Sequence, residues 1–316
     1  MKQKYLINNK IKFISYKKMN SSIRTASHSG SWYDKNPIKL SKELNQYLSS
    51  SNKYEEYQSL KSIIVPHSGL RYGGPVAAKA FINVNPDNYN RVVILGPSHY
   101  EYFKGCGLTS FEKFETPFGN VNVDTSTINK LLIDNKNFFS FPQSCDVQEH
   151  SIEMEMPFLK YIFDKKPFSI VPMVVGDGDL KKNIELGKCL YNLYEDPKTL
   201  FVISSDFCHW GKNFDYVYYN KKFKNIWEST EDLDRQALDI IGEINSKKFD
   251  DYMKKTNNTI CGSNPITIML SIIEEYKKKH QDKKISFDTA GYAQSSKVKS
   301  MNDSAVSYAA GVNFIV

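Results

Sequence analysis

Short apolar runs alternate with stretches of helical periodicity along most of the chain. Four runs, at residues 62–65, 91–95, 168–175 and 199–204, have the length of buried strands. Around them, apolar residues recur every three or four positions, which predicts helices. The predicted helices cover residues 37–48, 75–81, 150–163, 180–194, 232–241 and 265–278, and two further strands, 285–287 and 306–316, end the chain. This alternation predicts an α/β fold with a central, mostly parallel sheet and helices on both faces.

The 316 residues are enough for two domains, but nothing in the sequence divides them. No internal repeat, low-complexity block or Pro/Gly-rich linker interrupts residues 24–316. We therefore predict a single α/β domain over residues 24–316, preceded by a basic, flexible extension over residues 1–23. Within the domain, Pro75 is expected at the first position of its helix, where a missing N–H costs nothing.

Composition narrows the possible partners and the compartment. The net charge of +7 falls to +1 without the six lysines of residues 1–22, so the sequence does not predict a nucleic-acid partner. No apolar run approaches the roughly 20 residues that a membrane-spanning helix needs, so we expect no membrane span. The five cysteines include no C-x-x-C pair, which favours a reducing compartment and a cytoplasmic location. We expect a monomer.

Three histidines follow three of the predicted strands. His67, His99 and His209 come directly after strands that end near residues 65, 97 and 204. In open α/β folds, ligands bind beyond the carboxyl ends of the parallel strands, so these side chains are predicted to converge. Pro and Gly beside His67 and His99 would hold each imidazole in one orientation, as a metal ligand requires. The alternative, a capping or packing role for each histidine, stays open.

Cys261 is the fourth candidate, because it precedes a predicted helix. With Ser263 or Asn264 as the helix cap and Pro265 as its first residue, the thiol would lie near a helix N-terminus. The helix dipole and free N–H groups there stabilise a thiolate, which favours metal binding or nucleophilic attack. A buried structural cysteine is the alternative, and it is the role that we predict for Cys208.

Further titratable residues surround these candidates. Asp206 and His209 could act as an acid/base pair, with the imidazole oriented by Asp206 or by a neighbouring carbonyl. His150 lies at a predicted helix start with Glu149 and Glu153, and is a possible neighbour of the site. The segment does not match H-E-x-x-H, and the chain has no Walker A or G-x-S-x-G motif. Nucleotide binding and serine-hydrolase chemistry therefore lack support.

Eight collinear segments between residue 24 and the C-terminus resemble the Memo family. They are ASHSGSWY (26–33), PHSG (66–69), GPSH (96–99), EHSIEM (149–154), SSDFCHWG (204–211), NTICG (258–262), YAQSS (292–296) and DSAVSYAAG (303–311). Animal members of that family act in cell motility downstream of receptor tyrosine kinases. This chain departs from the family pattern at Ser29 and Ser68, where Ala is usual, and at Tyr100, where animal members have a second histidine.

The resemblance implies both a fold and a set of site residues. The implied fold is similar to that of the class III (extradiol) non-haem iron dioxygenases. The implied metal ligands are His67, His99 and Cys261, with His209 beside the metal as an acid/base group. Those dioxygenases use two histidines and a carboxylate, so a thiolate in this place does not by itself imply dioxygenase activity.

Two functional classes follow from this donor set. Two neutral imidazoles and a thiolate suit iron or copper, with zinc possible, and are poor ligands for Mg²⁺ or Ca²⁺. We favour a mononuclear iron or copper redox protein that acts on O₂ or a small substrate. The alternative is a signalling or adaptor protein that binds peptide or phosphotyrosine ligands, with the metal structural or regulatory. A zinc hydrolase fits the ligands but has no supporting motif.

Overall fold

A computed structural model describes residues 22–54 and 59–315, together with the backbone of residues 2–7 and 10–15. The strands are β1 Lys2–Ile7, β2 Lys10–Ser15, β3 Ile23–Arg24, β4 Ser59–Val65, β5 Arg91–Pro97, β6 Cys106–Leu108, β7 Lys113–Phe114, β8 Val121–Val123, β9 Phe138–Ser140, β10 Ser169–Val175, β11 Thr199–Ser204, β12 His209–Trp210, β13 Ile285–Gln294 and β14 Ala305–Ile315. The helices are α1 Pro37–Ser49, α2 Leu70–Phe81, α3 Thr125–Asp134, α4 Gln143–Gln148, α5 His150–Glu153, α6 Met156–Phe163, α7 Leu180–Glu195, α8 Ile226–Gly242, α9 Ser246–Thr256 and α10 Ser263–Lys279.

One large sheet organises the described part of the chain. Its centre is the parallel group β4-β11-β5-β10, and β14 closes one side by pairing antiparallel to β4. On the other side the sheet continues through β8, β7 and β3, while β13 and β12 pair with β14. The predicted α/β class with a mostly parallel centre is therefore confirmed.

The central strands are covered on both faces. Side chains of a strand point alternately to the two faces of a sheet, yet every residue of β11 is buried, as are the last six residues of β4. Helices α7 and α10 pack together and against β11, whereas α2 packs on β4 and β14. Such continuous burial explains why these strands occur in the sequence as uninterrupted apolar runs.

The observed helices differ from the predicted ones around two prolines. Pro75 lies inside α2, which begins at Leu70 and not at the proline as predicted. The helix predicted over residues 150–163 is two helices, α5 and α6, and Pro157 is one of the first two residues of α6. Because proline has no N–H and disfavours a helical residue before it, a continuous helix cannot run through this position without a kink.

The chain joins the large sheet at residues 23 and 24. Ile23 and Arg24 form β3, which pairs parallel to β7, and the Arg24 side chain is buried. Strands β1 and β2 form an antiparallel pair. The remaining residues of the segment 1–21 lie outside the described chain, so the flexible extension stays a prediction. Among the described residues, no helix combines the length and the apolar character needed to cross a membrane.

Candidate metal site

Two of the three predicted histidines lie at the carboxyl edge of the parallel strands, whereas His209 lies in β12, which pairs with β14. His67 follows β4, His99 follows β5, and Cys261 lies just before α10. Glycines permit the close packing that closes this edge. A Cβ on Gly96 would lie 2.5 Å from Ser151 Oγ, and one on Gly262 would lie 2.4 Å from the Ser205 Cβ. Both contacts are shorter than any that a side chain tolerates, so glycine is required where α5 and α10 approach the strand ends.

Three imidazoles meet at this edge. One ligand nitrogen from each of His67, His99 and His150 lies within 4.8 Å of the others. The ring centroids of His99 and His150 are 4.2 Å apart in a stacked arrangement, and His67 lies 5.1 Å from His99 and 5.3 Å from His150. His150, which the sequence suggested only as a possible neighbour, thus lies within the cluster.

The Cys261 thiol completes a set of soft donors. Its Sγ lies 3.2 Å from His67 Nε2 and 3.5 Å from the Asp206 carbonyl oxygen. Burial raises the pKa of this thiol, and the Asp206 carboxyl raises it further. Desolvation thus outweighs the hydrogen bonds from Gly262 and Ser205 that favour a thiolate at this helix start. Cys208 is fully buried.

A buried carboxylate supports His99. Glu149 accepts hydrogen bonds from the His99 backbone N–H at 2.7 Å and from His99 Nδ1 at 2.9 Å. It also accepts the Ser151 backbone N–H at 2.9 Å. Burial alone would raise the pKa of Glu149, but these hydrogen bonds lower it to about 2. The carboxylate is ionised at neutral pH and leaves His99 Nε2 free to face the cluster.

A neutral hydroxyl supports His67. The His67 Nδ1 lies 2.7 Å from Ser204 Oγ, and that hydroxyl donates to the Ser151 carbonyl at 2.6 Å. Burial, with the neighbouring His99, holds the pKa of His67 well below its usual value. His67 is therefore a neutral imidazole, which is the form that binds metal.

His150 has a different environment from its two neighbours. Its Nδ1 has no hydrogen-bond partner within the described part of the chain and lies 3.6 Å from Glu149 Oε1. The Trp32 ring packs on it with centroids 4.7 Å apart. Burial lowers the pKa of His150 to about 3, and the nearby imidazoles contribute to that shift. The ring is neutral and has an unused nitrogen.

Carbonyl groups, and not Asp206, orient His209. The His209 Nδ1 donates toward the carbonyl oxygens of Phe207 at 2.8 Å and Thr259 at 3.1 Å. Asp206 instead accepts the His67 backbone N–H at 3.1 Å and the Ser68 hydroxyl. Of the two alternatives for His209, the neighbouring carbonyl is the one present. Its Nε2 has no hydrogen-bond partner among residues 22–54 and 59–315.

A cavity of about 330 Å³ gives access to the donors. Its walls include His99, Cys261 and Asn264, and its outer part is formed by Tyr100 and Tyr102. Both tyrosines are exposed. A small molecule can therefore reach the thiol and one imidazole from this side.

Comparison with known proteins identifies the family. A family model described as Memo-like protein matches residues 24–312. The chain belongs to the Memo family. It is 40% identical over 293 residues to the memo-1 homolog of Caenorhabditis elegans, which covers 92% of this chain and 83% of that protein. Identity to the MEMO1 protein of Xenopus laevis is 39% over 293 residues, covering 92% and 97% of the two chains, and identity to that of Homo sapiens is 38% over 290 residues, covering 91% and 96%.

Little in the sequence pattern of this Memo protein indicates which groups hydrogen-bond to His67 and His99. The pattern identifies Glu149 only as a carboxylate at a predicted helix start, and Ser204 only as the last residue of a predicted strand. Ser204 pairs with Val65 across β11 and β4, which places its hydroxyl beside a residue that follows Val65 by two positions. That register between distant segments has no signature in the pattern of either strand.

Proposed function

We propose that this Memo protein binds one iron or copper ion through His67, His99 and Cys261, and uses it in redox chemistry on O₂ or a small substrate. Zinc is the alternative metal. The observation that supports this most directly is the convergence of three imidazoles and a thiol at the carboxyl edge of the parallel strands. This is where open α/β folds bind their ligands.

The donor set fits a soft metal ion. The Nδ1 atoms of His67 and His99 are engaged by Ser204 and Glu149, so each Nε2 is available to a ligand. Neutral imidazoles and sulfur favour iron, copper or zinc over Mg²⁺ or Ca²⁺. Because burial keeps the Cys261 thiol protonated, metal binding would release its proton.

Residues of the chain would control proton transfer and the entry of a small molecule around such an ion. A bound iron or copper ion would supply one-electron chemistry. His209, with Nδ1 fixed by two carbonyls and Nε2 free, is suited to take up or release a proton beside the site. The cavity walled by Tyr100 and Tyr102 would admit the small molecule.

Elemental analysis of protein purified without added metal tests the proposal, together with O₂-consumption assays. Cys261→Ser should weaken iron or copper binding by about tenfold or more, since a hydroxyl is a poor substitute for thiolate. Cys189→Ser, which changes a thiol on α7, is the matched control and should bind metal as the unaltered protein does. Unchanged affinity in Cys261→Ser would remove the thiol from the site.

His209→Ala separates proton transfer from metal binding. It should retain the metal and lower turnover by roughly a hundredfold, which is the scale of a lost general acid or base. Loss of the metal in this variant would instead make His209 a ligand.

A second cavity favours peptide binding as the other candidate function. It measures about 490 Å³ and is lined in part by Trp32, Arg71, Tyr72 and Tyr308. A cationic side chain among aromatic rings suits a phosphotyrosine or another acidic aromatic group. A phosphotyrosine peptide should then bind more tightly than its unphosphorylated form, and Arg71→Ala should abolish the difference. Equal binding of the two peptides would contradict this function.

A further inference from the structure

Asp234 is a fully buried carboxylate on α8 that the proposed function does not use. Within the described part of the chain it forms no ion pair with a lysine or arginine. Three neutral groups donate hydrogen bonds to it instead. The Cys208 backbone N–H reaches Oδ1 at 3.2 Å, the Asn258 amide reaches the same oxygen at 3.1 Å, and the Tyr292 hydroxyl reaches Oδ2 at 2.9 Å. Because a buried carboxylate is costly unless hydrogen bonds satisfy it, Asp234 and its three donors hold each other in place.

The Asn258 amide connects Asp234 to Thr259, which contacts His209 in three ways. The Thr259 hydroxyl accepts the His209 backbone N–H at 2.7 Å and donates to the His209 carbonyl at 3.0 Å, and the Thr259 carbonyl accepts from Nδ1 at 3.1 Å. Asn258 Oδ1 accepts the Thr259 N–H at 2.8 Å. The same amide also donates to the Tyr252 hydroxyl at 3.0 Å. Asp234 therefore acts on the residue that surrounds the His209 backbone and ring.

The Cys208 N–H connects Asp234 to the other carbonyl at the His209 ring. His209 Nδ1 also donates to the Phe207 carbonyl at 2.8 Å, and Cys208 lies between these two residues. One carboxylate thus binds both segments whose carbonyls accept from the imidazole. A carbonyl oxygen can only accept, so Nδ1 carries the proton of the neutral ring and the lone pair lies on Nε2.

We propose that Asp234 is a positioning residue, which holds the Phe207 and Thr259 carbonyls at His209 and thereby keeps the ring in one orientation, protonated at Nδ1. The statement about the ring concerns the metal-free protein, and His209 is not one of the proposed metal ligands. Its consequence for turnover rests on the proposed function, in which His209 Nε2 exchanges a proton. Such a residue matters because a displacement of about 1 Å in a reacting group can lower a rate by about 100-fold.

A matched pair of variants at Asp234 tests this role. Asp234→Asn keeps the shape of the side chain and the Oδ1 acceptor for Cys208 and Asn258, whereas Asp234→Ala leaves both donors unpaired. Asp232→Ala is the control, because Asp232 lies on the same helix but is partly exposed and accepts from the Gln236 amide at 2.8 Å.

Nitrogen-15 NMR of the histidine rings in metal-free protein reports the tautomer directly. Burial raises the pKa of Asp234 to about 6, so the spectra are recorded at about pH 8, where this carboxyl is ionised. The His209 signals are those missing from His209→Ala. The unaltered protein, Asp234→Asn and Asp232→Ala should show His209 protonated at Nδ1. Asp234→Ala should show a population protonated at Nε2, because Nδ1 loses its fixed acceptors.

O₂ consumption by the metal-loaded proteins gives a second readout. Asp234→Ala should lower the rate by about tenfold or more, and Asp234→Asn should stay within about threefold of the unaltered protein. Metal content should not change, because Cys261 is held by other contacts: its Sγ lies 3.5 Å from the Asp206 carbonyl, and the Gly262 N–H donates to Ser205 Oγ at 3.0 Å. If no protein consumes O₂, the proposed function fails, and the NMR comparison still decides the present inference.

Two results would overturn the inference. An unchanged tautomer in folded Asp234→Ala would show that Asp234 does not position the ring. An equal shift in Asp234→Asn would show that the charge acts on the ring and the hydrogen bonds do not. If Asp234→Ala does not fold, Asn258→Ala is compared with Tyr252→Phe, which removes the other partner of the Asn258 amide. A shifted tautomer in Asn258→Ala alone supports the inference, whereas no shift, or equal shifts in both variants, refutes it.

Discussion

His67 and His99 occupy equivalent positions after β4 and β5, the two parallel strands that flank β11, yet they are held in opposite ways. His99 has about a quarter of its side chain exposed and donates to the ionised carboxylate of Glu149. His67 is 1% exposed and contacts the neutral hydroxyl of Ser204. The charge beside His99 is stabilised by hydrogen bonds and not by water, because Glu149 is 2% exposed and accepts three of them. An anionic partner increases the electron density that His99 offers a metal ion, whereas burial keeps the pKa of His67, beside a neutral hydroxyl, well below its usual value.

The largest expected effect comes from removing the charge behind His99. Glu149→Gln keeps the shape of the side chain but cannot accept from all three donors as a carboxylate does. Metal affinity should fall by about 100-fold, at the upper end for groups behind a metal-binding histidine. Competition titration with a chelator measures this change. A loss of metal affinity smaller than that in Ser204→Ala would mean that Glu149 is not the more important of the two hydrogen-bond partners.

The pH dependence of folding stability tests the role of Glu149 in the metal-free protein. The pKa of Glu149 is about 2 in the folded protein, below the ordinary value of 4.5, so its contribution to stability is fully present above about pH 4.5 and is lost as the pH falls toward 2. That contribution is on the order of 3 kcal/mol. Denaturant unfolding between pH 6 and pH 3 should therefore show a shallower loss of stability in Glu149→Gln. Parallel curves would mean that the carboxylate is not stabilised by its hydrogen bonds.

Loss of the Ser204 hydroxyl beside His67 should lower metal affinity less than loss of the Glu149 charge. Ser204→Ala removes the partner of His67 Nδ1, and metal affinity should fall by about tenfold, the lower end of the range for such groups. Ser271→Ala is a matched control, since Ser271 is also a buried serine but donates to the Ile268 carbonyl within α10. Isothermal titration with both variants would show whether the loss is specific to the hydroxyl behind His67.

The surroundings of His67 and His99 also show what could be predicted from the sequence. The strand ends were predictable, because fully buried parallel strands give apolar runs and His67 and His99 follow them directly. The hydrogen bond from Ser204 was not, because it depends on the register of β11 against β4. Helix α9 was missed for a different reason. It buries little beyond Phe249 and Tyr252, and its other positions are mostly charged or polar, so no broad apolar stripe marks it.

The smallest expected effect concerns Ser68, where the family usually has alanine. Ser68 donates to Asp206, which also accepts the His67 backbone N–H at 3.1 Å. Ser68→Ala removes one hydrogen bond to a buried carboxyl and should lower stability by about 1 kcal/mol. Metal affinity should stay within about twofold, because Ser204, the partner of His67 Nδ1, is untouched. A tenfold loss of affinity would mean that Asp206, through the His67 backbone, is as important to this histidine as the hydroxyl at Nδ1.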